Sequence, residues 1–419
     1  MTSCEIDFTG IKCYSKSMNG KKAISTKLKA AHQKFTSEQS SFRIGGERPI
    51  MVSTPEPETR SWPKRIAISA AVLVGVVLLV AAVKELIHIH NESTARIPVS
   101  SGSVSNTSSA LPFSASGTIY FISGYNTIAA MKADGSGAES LYTLPSTYQS
   151  QGQISSLDVS SSGTELVFTY SQDNAASPGQ SCIFSVNATG HASSLTSGCS
   201  LAGSPDNDSQ PVLSPNGRTV YFYSTGRSSG AGIYKEPVRG GNVSLVVTLP
   251  YTNPATGLPI PLSSLTISPN GKTLAFPYYQ GSSTVPRLYT VGTDGSHLQQ
   301  LSSSPLYVDE VGSWSPDGSQ ILAVTGSNNN YLQTLDTQNG SVIGTLTTTS
   351  ASQAFARASW SPDGKLVVYD LNDASGGYNV YLVNSSSGLI YQTTRTGSSK
   401  FPVWVSRPSP PYGGAPLNL

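Results

Sequence analysis

The stretch SWSPDGKLVVYDL, residues 359–371, holds a tight turn followed by an alternating strand, and the same pattern recurs through the C-terminal two thirds of the chain. Earlier copies read SWSPDGSQILAVT at 313–325, TISPNGKTLAFPY at 266–278, VLSPNGRTVYFYS at 212–224 and DVSSSGTELVFTY at 158–170. In the turn, Pro presets φ, Asp or Asn tolerates the next corner, and Gly takes a left-handed conformation that a β-branched residue resists. The turn glycines Gly163, Gly217, Gly271, Gly318 and Gly364 are 54, 54, 47 and 46 residues apart. A period near 50 residues built from short strands points to propeller blades and away from a helical solenoid.

Each unit continues into a further strand, as in GIYKEP at 232, RLYTVG at 287, YLQTLD at 331 and NVYLVN at 379, and then a second polar turn. In strands such as Val220-Tyr221-Phe222-Tyr223, alternation leaves one face to pack on a neighbouring blade. Five units are complete. SGTIYFIS at 116 and IAAMKADGSG at 128 belong to a sixth that lacks its first strand, and FPVWVSRPS from Phe401 matches the missing piece. Pairing Phe401–Val405 with Thr118–Ser123 closes the ring without a free edge. Gly117 then lies 46 residues before Gly163, in period. The expected fold class is all-β, a six-bladed propeller over residues 117–406.

The Ser-Pro-Asp-Gly turn, preceded by Trp314 or Trp360 and followed by an Ile-Tyr or Leu-Tyr strand, resembles the Pro-Asp repeat of TolB-like six-bladed propellers. The first full unit departs from it, with Ser160-Ser161-Ser162-Gly163 in place of Pro and Asp, and so does the split terminal unit. The resemblance implies a cell-envelope scaffold or receptor that binds another envelope or extracellular protein.

Residues 66–83, IAISAAVLVGVVLLVAAV, carry no charge. Extended to residue 88, they are long enough to cross a bilayer core of about 30 Å. Residues 1–65 hold twelve Lys/Arg against six Asp/Glu, whereas residues 91–419 hold thirteen against seventeen. With Lys64 and Arg65 flanking the apolar run, this bias places the N-terminus in the cytoplasm and the propeller outside, as a single-pass protein in the cell membrane. A cleavable signal peptide is the competing reading: the region before the apolar run is far longer than a normal n-region, but a start at Met51 would give a compact one. The basic residues of the tail are dispersed among few aromatics, so no nucleic-acid partner is expected. Residues 1–65 read as a disordered tail, 89–116 as a Ser/Thr-rich linker and 407–419 as a Pro-rich tail. Cys182 and Cys199 lie on the oxidising side and are the expected disulfide, whereas Cys4 and Cys13 read as free thiols.

Little in the sequence signals chemistry. Gly226-Arg227-Ser228-Ser229-Gly230 matches a hydrolase nucleophile pattern, but no helix is expected after it. Five dispersed histidines offer no metal site, and Asp206-Asn207-Asp208 reads as a solvated connecting loop. No cofactor, metal or enzymatic activity is expected. Ligands of propellers meet the channel mouth at the start of each innermost strand, which places Ser156, Gln210, Ser264, Glu310, Arg357 and Lys400 there as the candidate partner-binding set. Tyr148, Tyr251, Pro277-Tyr278-Tyr279 and Tyr307 form a second candidate surface of exposed aromatics. A glycan or small ligand is the alternative to a protein partner, and a propeller enzyme acting at the channel mouth is the third reading.

Overall fold

The computed structural model describes residues 2–7, 10–15 and 115–406, apart from 173–179, 188–189, 197–205, 251, 253–258, 280–284, 303–305, 328–329, 351–352 and 373–375. The apolar run 66–88, the tail 407–419, Cys199 and Tyr251 therefore lie outside the described residues. No described helix is long and apolar enough to cross a membrane. Within the basic N-terminal segment, Thr2–Asp7 and Gly10–Ser15 pair as an antiparallel hairpin in which Cys4 stands opposite Cys13.

Residues 115–406 form six four-stranded antiparallel sheets, each ordered from the axis outward. Blade 1 takes its innermost strand, Ser399–Val405, from the end of the chain and continues with Thr118–Ser123, Thr127–Lys132 and Glu139–Thr143. Blades 2 to 6 begin with Gly152–Val159, Asp208–Leu213, Thr266–Ile267, Val308–Trp314 and Phe355–Trp360. These six innermost strands touch in sequence around the axis, and Ser399–Val405 lies between Phe355–Trp360 and Gly152–Val159.

The core is divided into six apolar clusters, one between each pair of neighbouring blades. Alternation along one strand serves two of them. Ile119 and Phe121 pack against Leu366 and Val368 of blade 6, whereas Tyr120 and Ile122 pack against Phe168 and Tyr170 of blade 2. Both faces of a blade are thus buried, not the single face expected from alternation. The second strands accordingly read as nearly continuous apolar runs, and each fully buried large side chain contributes about 1.5–3 kcal/mol.

The repeated turn closes the hairpin between the first and second strands. In blade 3 the Ser214 hydroxyl donates to Asn216 Oδ1 at 2.7 Å and accepts from the Thr219 amide at 3.0 Å, while the Gly217 amide donates to the Ser214 carbonyl at 2.7 Å. The same bonds recur around Ser268, Ser315 and Ser361. The divergent Ser160-Ser161-Ser162-Gly163 adopts the same turn, with Gly163 donating to the Ser160 carbonyl and φ of 67°. All five glycines have φ between 66° and 74°. A Cβ at Gly271 would also lie 3.2 Å from Cδ of Pro215 in the preceding blade's turn. Gly is therefore required by both conformation and contact.

Hydroxyls and one carboxylate latch successive innermost strands. Ser313 accepts from the Trp360 amide at 2.7 Å, Ser359 from the Trp404 amide at 3.2 Å, and Asp158 Oδ2 from the Leu213 amide at 2.7 Å.

Candidate binding site at the axial channel

A register shift interrupts five of the six innermost strands near their starts: between Ile154 and Ser156, Ser209 and Val212, Val308 and Glu310, Phe355 and Ala358, and Lys400 and Val403. A bulge bends the strand and re-aims a side chain. Gln210 and Phe401 sit in these bulges with φ of 53° and 55°. Of the six residues placed at the channel mouth by repeat register, Ser156, Gln210, Glu310, Arg357 and Lys400 lie in or beside these bulges, whereas Ser264 precedes the one innermost strand without a register shift.

Two of them serve the scaffold. Ser156, buried, shares a 2.6 Å hydrogen bond with Thr169, and Ser264, fully buried, accepts from the Val311 amide at 2.7 Å. The other four carry the polar character of the site. Arg357 is 9% exposed, and its Nη2 donates at 3.4 Å to the carbonyl of Leu265 in blade 4. Its charge also acts on Asp158 of blade 2 and Glu310 of blade 5. A side chain rooted in blade 6 that donates to a carbonyl of blade 4 lies across the axis. Arg357 Nη1, Glu310 Oε2 and Gln210 Oε1 are buried atoms with no hydrogen-bond partner. Burial pushes the Glu310 carboxyl well above its ordinary range, despite the opposing pull of Arg357.

Lys400, 9% exposed, places its ammonium 3.9 Å from the ring centroid of Tyr125, a cation–π contact. Burial lowers its pKa to about 8, against the charge of Asp370. Tyr125 is 45% exposed.

Two carboxylates absent from the expected set complete the cluster. Asp370, on the second strand of blade 6 (Leu366–Asn372), is fully buried and accepts from the Arg357 amide at 2.6 Å and the Phe401 amide at 2.9 Å. Asp158 and Asp370 are both raised by burial to about 6, partly offset by their backbone donors. Each had a faint sequence signal. Asp158 stands where the repeat has Ser313 and Ser359, and Asp370 stands where it has Thr169 and Val324.

Other candidates are placed differently from expectation. Asp206-Asn207-Asp208 is not a solvated loop: Asp208 is fully buried, and Arg227 grips it through Nε at 3.1 Å and Nη2 at 2.5 Å. The Arg227 guanidinium also lies 5.2 and 5.4 Å from the ring centroids of Phe222 and Tyr234. Ser228 of the nucleophile-like pattern is on an exposed hairpin loop, and the next element is the strand Gly232–Pro237, so the strand–turn–helix that the chemistry needs is not formed. The exposed-aromatic surface is largely internal. Pro277 and Tyr278 are buried, with Tyr278 against Tyr289, and Tyr148 packs edge-on to Tyr170. Inter-blade packing claimed these rings because both faces of a blade are covered. Tyr307 is half-buried beside a rim cleft of about 620 Å³ that also involves Leu306, Tyr331 and Val342. That cleft is apolar and holds no titratable cluster, so the axial channel is the stronger site. Cys182 is in a disulfide. Among the described residues no group of His, Cys, Asp and Glu is arranged to hold a metal ion.

No family model matches the chain, and no curated protein does. Solved structures do. TolB from Acinetobacter baumannii aligns with TM-score 0.52 and 19% identity over 69% of this chain, which spans 66% of that protein's length. TolB from Agrobacterium tumefaciens aligns with TM-score 0.48 and 16% identity over 69% of this chain and 92% of the other. A chain of a nidogen/laminin complex aligns with TM-score 0.52 and 13% identity over 70% of this chain and 100% of the other. At these identities the likeness is one of fold, and residues 115–406 form a six-bladed β-propeller like those of the TolB proteins.

Proposed function

We propose that the chain is a membrane-anchored, extracytoplasmic propeller that binds another protein of the cell envelope or cell exterior at its channel mouth. The observation that carries this reading is the ring of bulges. It gathers Gln210, Glu310 and Arg357 on the axis, each with a buried atom unpaired within the protein. Such atoms cost about 1–3 kcal/mol apiece when left unsatisfied, and a docked group recovers that energy. The neighbour from the nidogen/laminin complex is itself seen with a protein partner, which is consistent with this use of the fold. The anchor is assigned to residues 66–88 on their apolar length and flanking positive charge.

The test is co-purification from membranes with the full chain, beside a variant with Gln210, Glu310 and Arg357 changed to Ala. The reading expects a specific partner that the variant loses while remaining folded. A partner that the folded variant retains places the interface elsewhere on the propeller.

A further inference from the structure

Arg357 and Lys400 are both nine-tenths buried at the channel mouth. A buried cation normally has a carboxylate against it, because removal from water costs several kcal/mol that only a close counter-charge restores. Neither residue has one. Ion pairs join Arg227 to Asp206 and Asp208, and Lys365 to Asp363, but none takes in Arg357 or Lys400.

The carboxylates nearest to them are committed elsewhere. Both oxygens of Asp370 accept backbone amides, from Arg357 and Phe401. Asp158 Oδ2 accepts the Leu213 amide. Arg357 Nη2 is directed at the Leu265 carbonyl, which leaves Nη1 free. Among the described residues Lys400 meets the faces of Tyr125 and Phe401, with its nitrogen 3.9 and 5.5 Å from their centroids. Two cations on adjacent innermost strands, both beside Asp370, thus keep unused N–H donors.

We propose that the mouth of the axial channel is a carboxylate-binding site in which Arg357 Nη1 and Lys400 Nζ share one incoming carboxylate. A planar carboxylate matches a guanidinium edge and accepts from an ammonium with its second oxygen. Burial holds the Glu310 carboxyl above its ordinary range, which weakens the repulsion that it would set against an incoming carboxylate. A chain terminus, an acidic side chain and a sugar acid all carry this group. The inference deepens the proposed function, since it names the chemistry by which a partner would be held at the mouth.

Isothermal titration of the purified full chain provides the test. The probes are N-acetyl-triglycine with a free C-terminal carboxylate, the same peptide as its C-terminal amide, an amidated N-acetyl-Gly-Asp-Gly, and glucuronate. The free-acid tripeptide binds, and the amide binds at least about 10-fold more weakly, a difference of about 1.4 kcal/mol. Binding of the Asp peptide or glucuronate identifies side-chain or sugar carboxylates as further sources, and their failure restricts the site to chain ends. Lys400→Met weakens the acid about 10-fold and leaves the amide unchanged. This variant carries the test even if Arg357→Gln fails to fold. The proposal is overturned if acid and amide bind alike, if no carboxylate probe binds, or if Lys400→Met leaves the acid unaffected. A failed titration beside a partner lost on changing Gln210, Glu310 and Arg357 removes the carboxylate site alone. Carboxylate binding beside a retained partner removes the protein-docking reading alone.

Discussion

Replacing Arg227 by Met separates a buried structural ion pair from a solvated loop, the two readings of residues 206–208. Asp208 is fully buried, and Arg227 supplies two hydrogen bonds to it. Without that partner the carboxylate must remain charged in the interior or take up a proton. Leaving it charged costs about 3–5 kcal/mol. Protonation at pH 7 costs about 4 kcal/mol, from an unfolded value near 3.9 at about 1.4 kcal/mol per pH unit, so the loss settles at about 3–4 kcal/mol. The sign with pH follows. In the variant the folded pKa of Asp208 rises further above the unfolded one, so the penalty is largest at high pH and fades as pH falls toward 4. Glu236, buried with its pKa raised by burial to about 7 and Arg227 as the offsetting charge, shifts the same way. Chemical denaturation at pH 7.5, 6.0 and 4.5 measures this. The expected gap from wild type narrows to about 1–2 kcal/mol at pH 4.5, where mainly the contacts with Phe222 and Tyr234 are lost. Asp208→Leu combined with Arg227→Met recovers much of the pH 7.5 loss, because no charge is then stranded. A gap under about 1 kcal/mol at pH 7.5, or one unchanged with pH, refutes the reasoning.

Three further outcomes are expected. Gly312→Ala destabilises by at least about 2 kcal/mol in a thermal melt, because the new Cβ would lie 2.3 Å from the Ala358 carbonyl oxygen and the innermost strands of blades 5 and 6 must separate. Ser313→Ala and Ser359→Ala each cost about 1–2 kcal/mol by chemical denaturation, since the Trp360 and Trp404 amides lose their acceptors. Lys400→Met gains stability over wild type near neutral pH. The Lys400 pKa is depressed to about 8, so its contribution is complete only above its unfolded value and is lost as pH falls through 8. Stability profiles of the two proteins should therefore converge above about pH 10.5, and parallel profiles contradict this.

The blades were legible because their turn demands particular residues. Gly takes φ near 70° without strain, so Gly217, Gly271, Gly318 and Gly364 recur in phase and mark the register. Once register was known, Ser156, Gln210, Ser264, Glu310, Arg357 and Lys400 could be placed at the strand starts. What register could not supply was long-range pairing. Arg227 and Asp208 are 19 residues apart on different elements, and a run of Asp and Asn reads locally as a solvated turn. The case of Asp370 is similar: it belongs to a second strand, and bulges in the innermost strands of blades 6 and 1 each bring one backbone amide onto its oxygens. Tyr278 was misread as exposed because single-face alternation ignores the blade that covers the other side.

Photo-crosslinking in intact membranes tests the central claim most directly. One probe residue replaces Tyr125 at the channel mouth, 45% exposed, and another replaces Ile343 on the outer edge of blade 5, 52% exposed. Docking at the mouth predicts a discrete protein adduct from position 125 and none from position 343; an adduct from position 343 alone contradicts it.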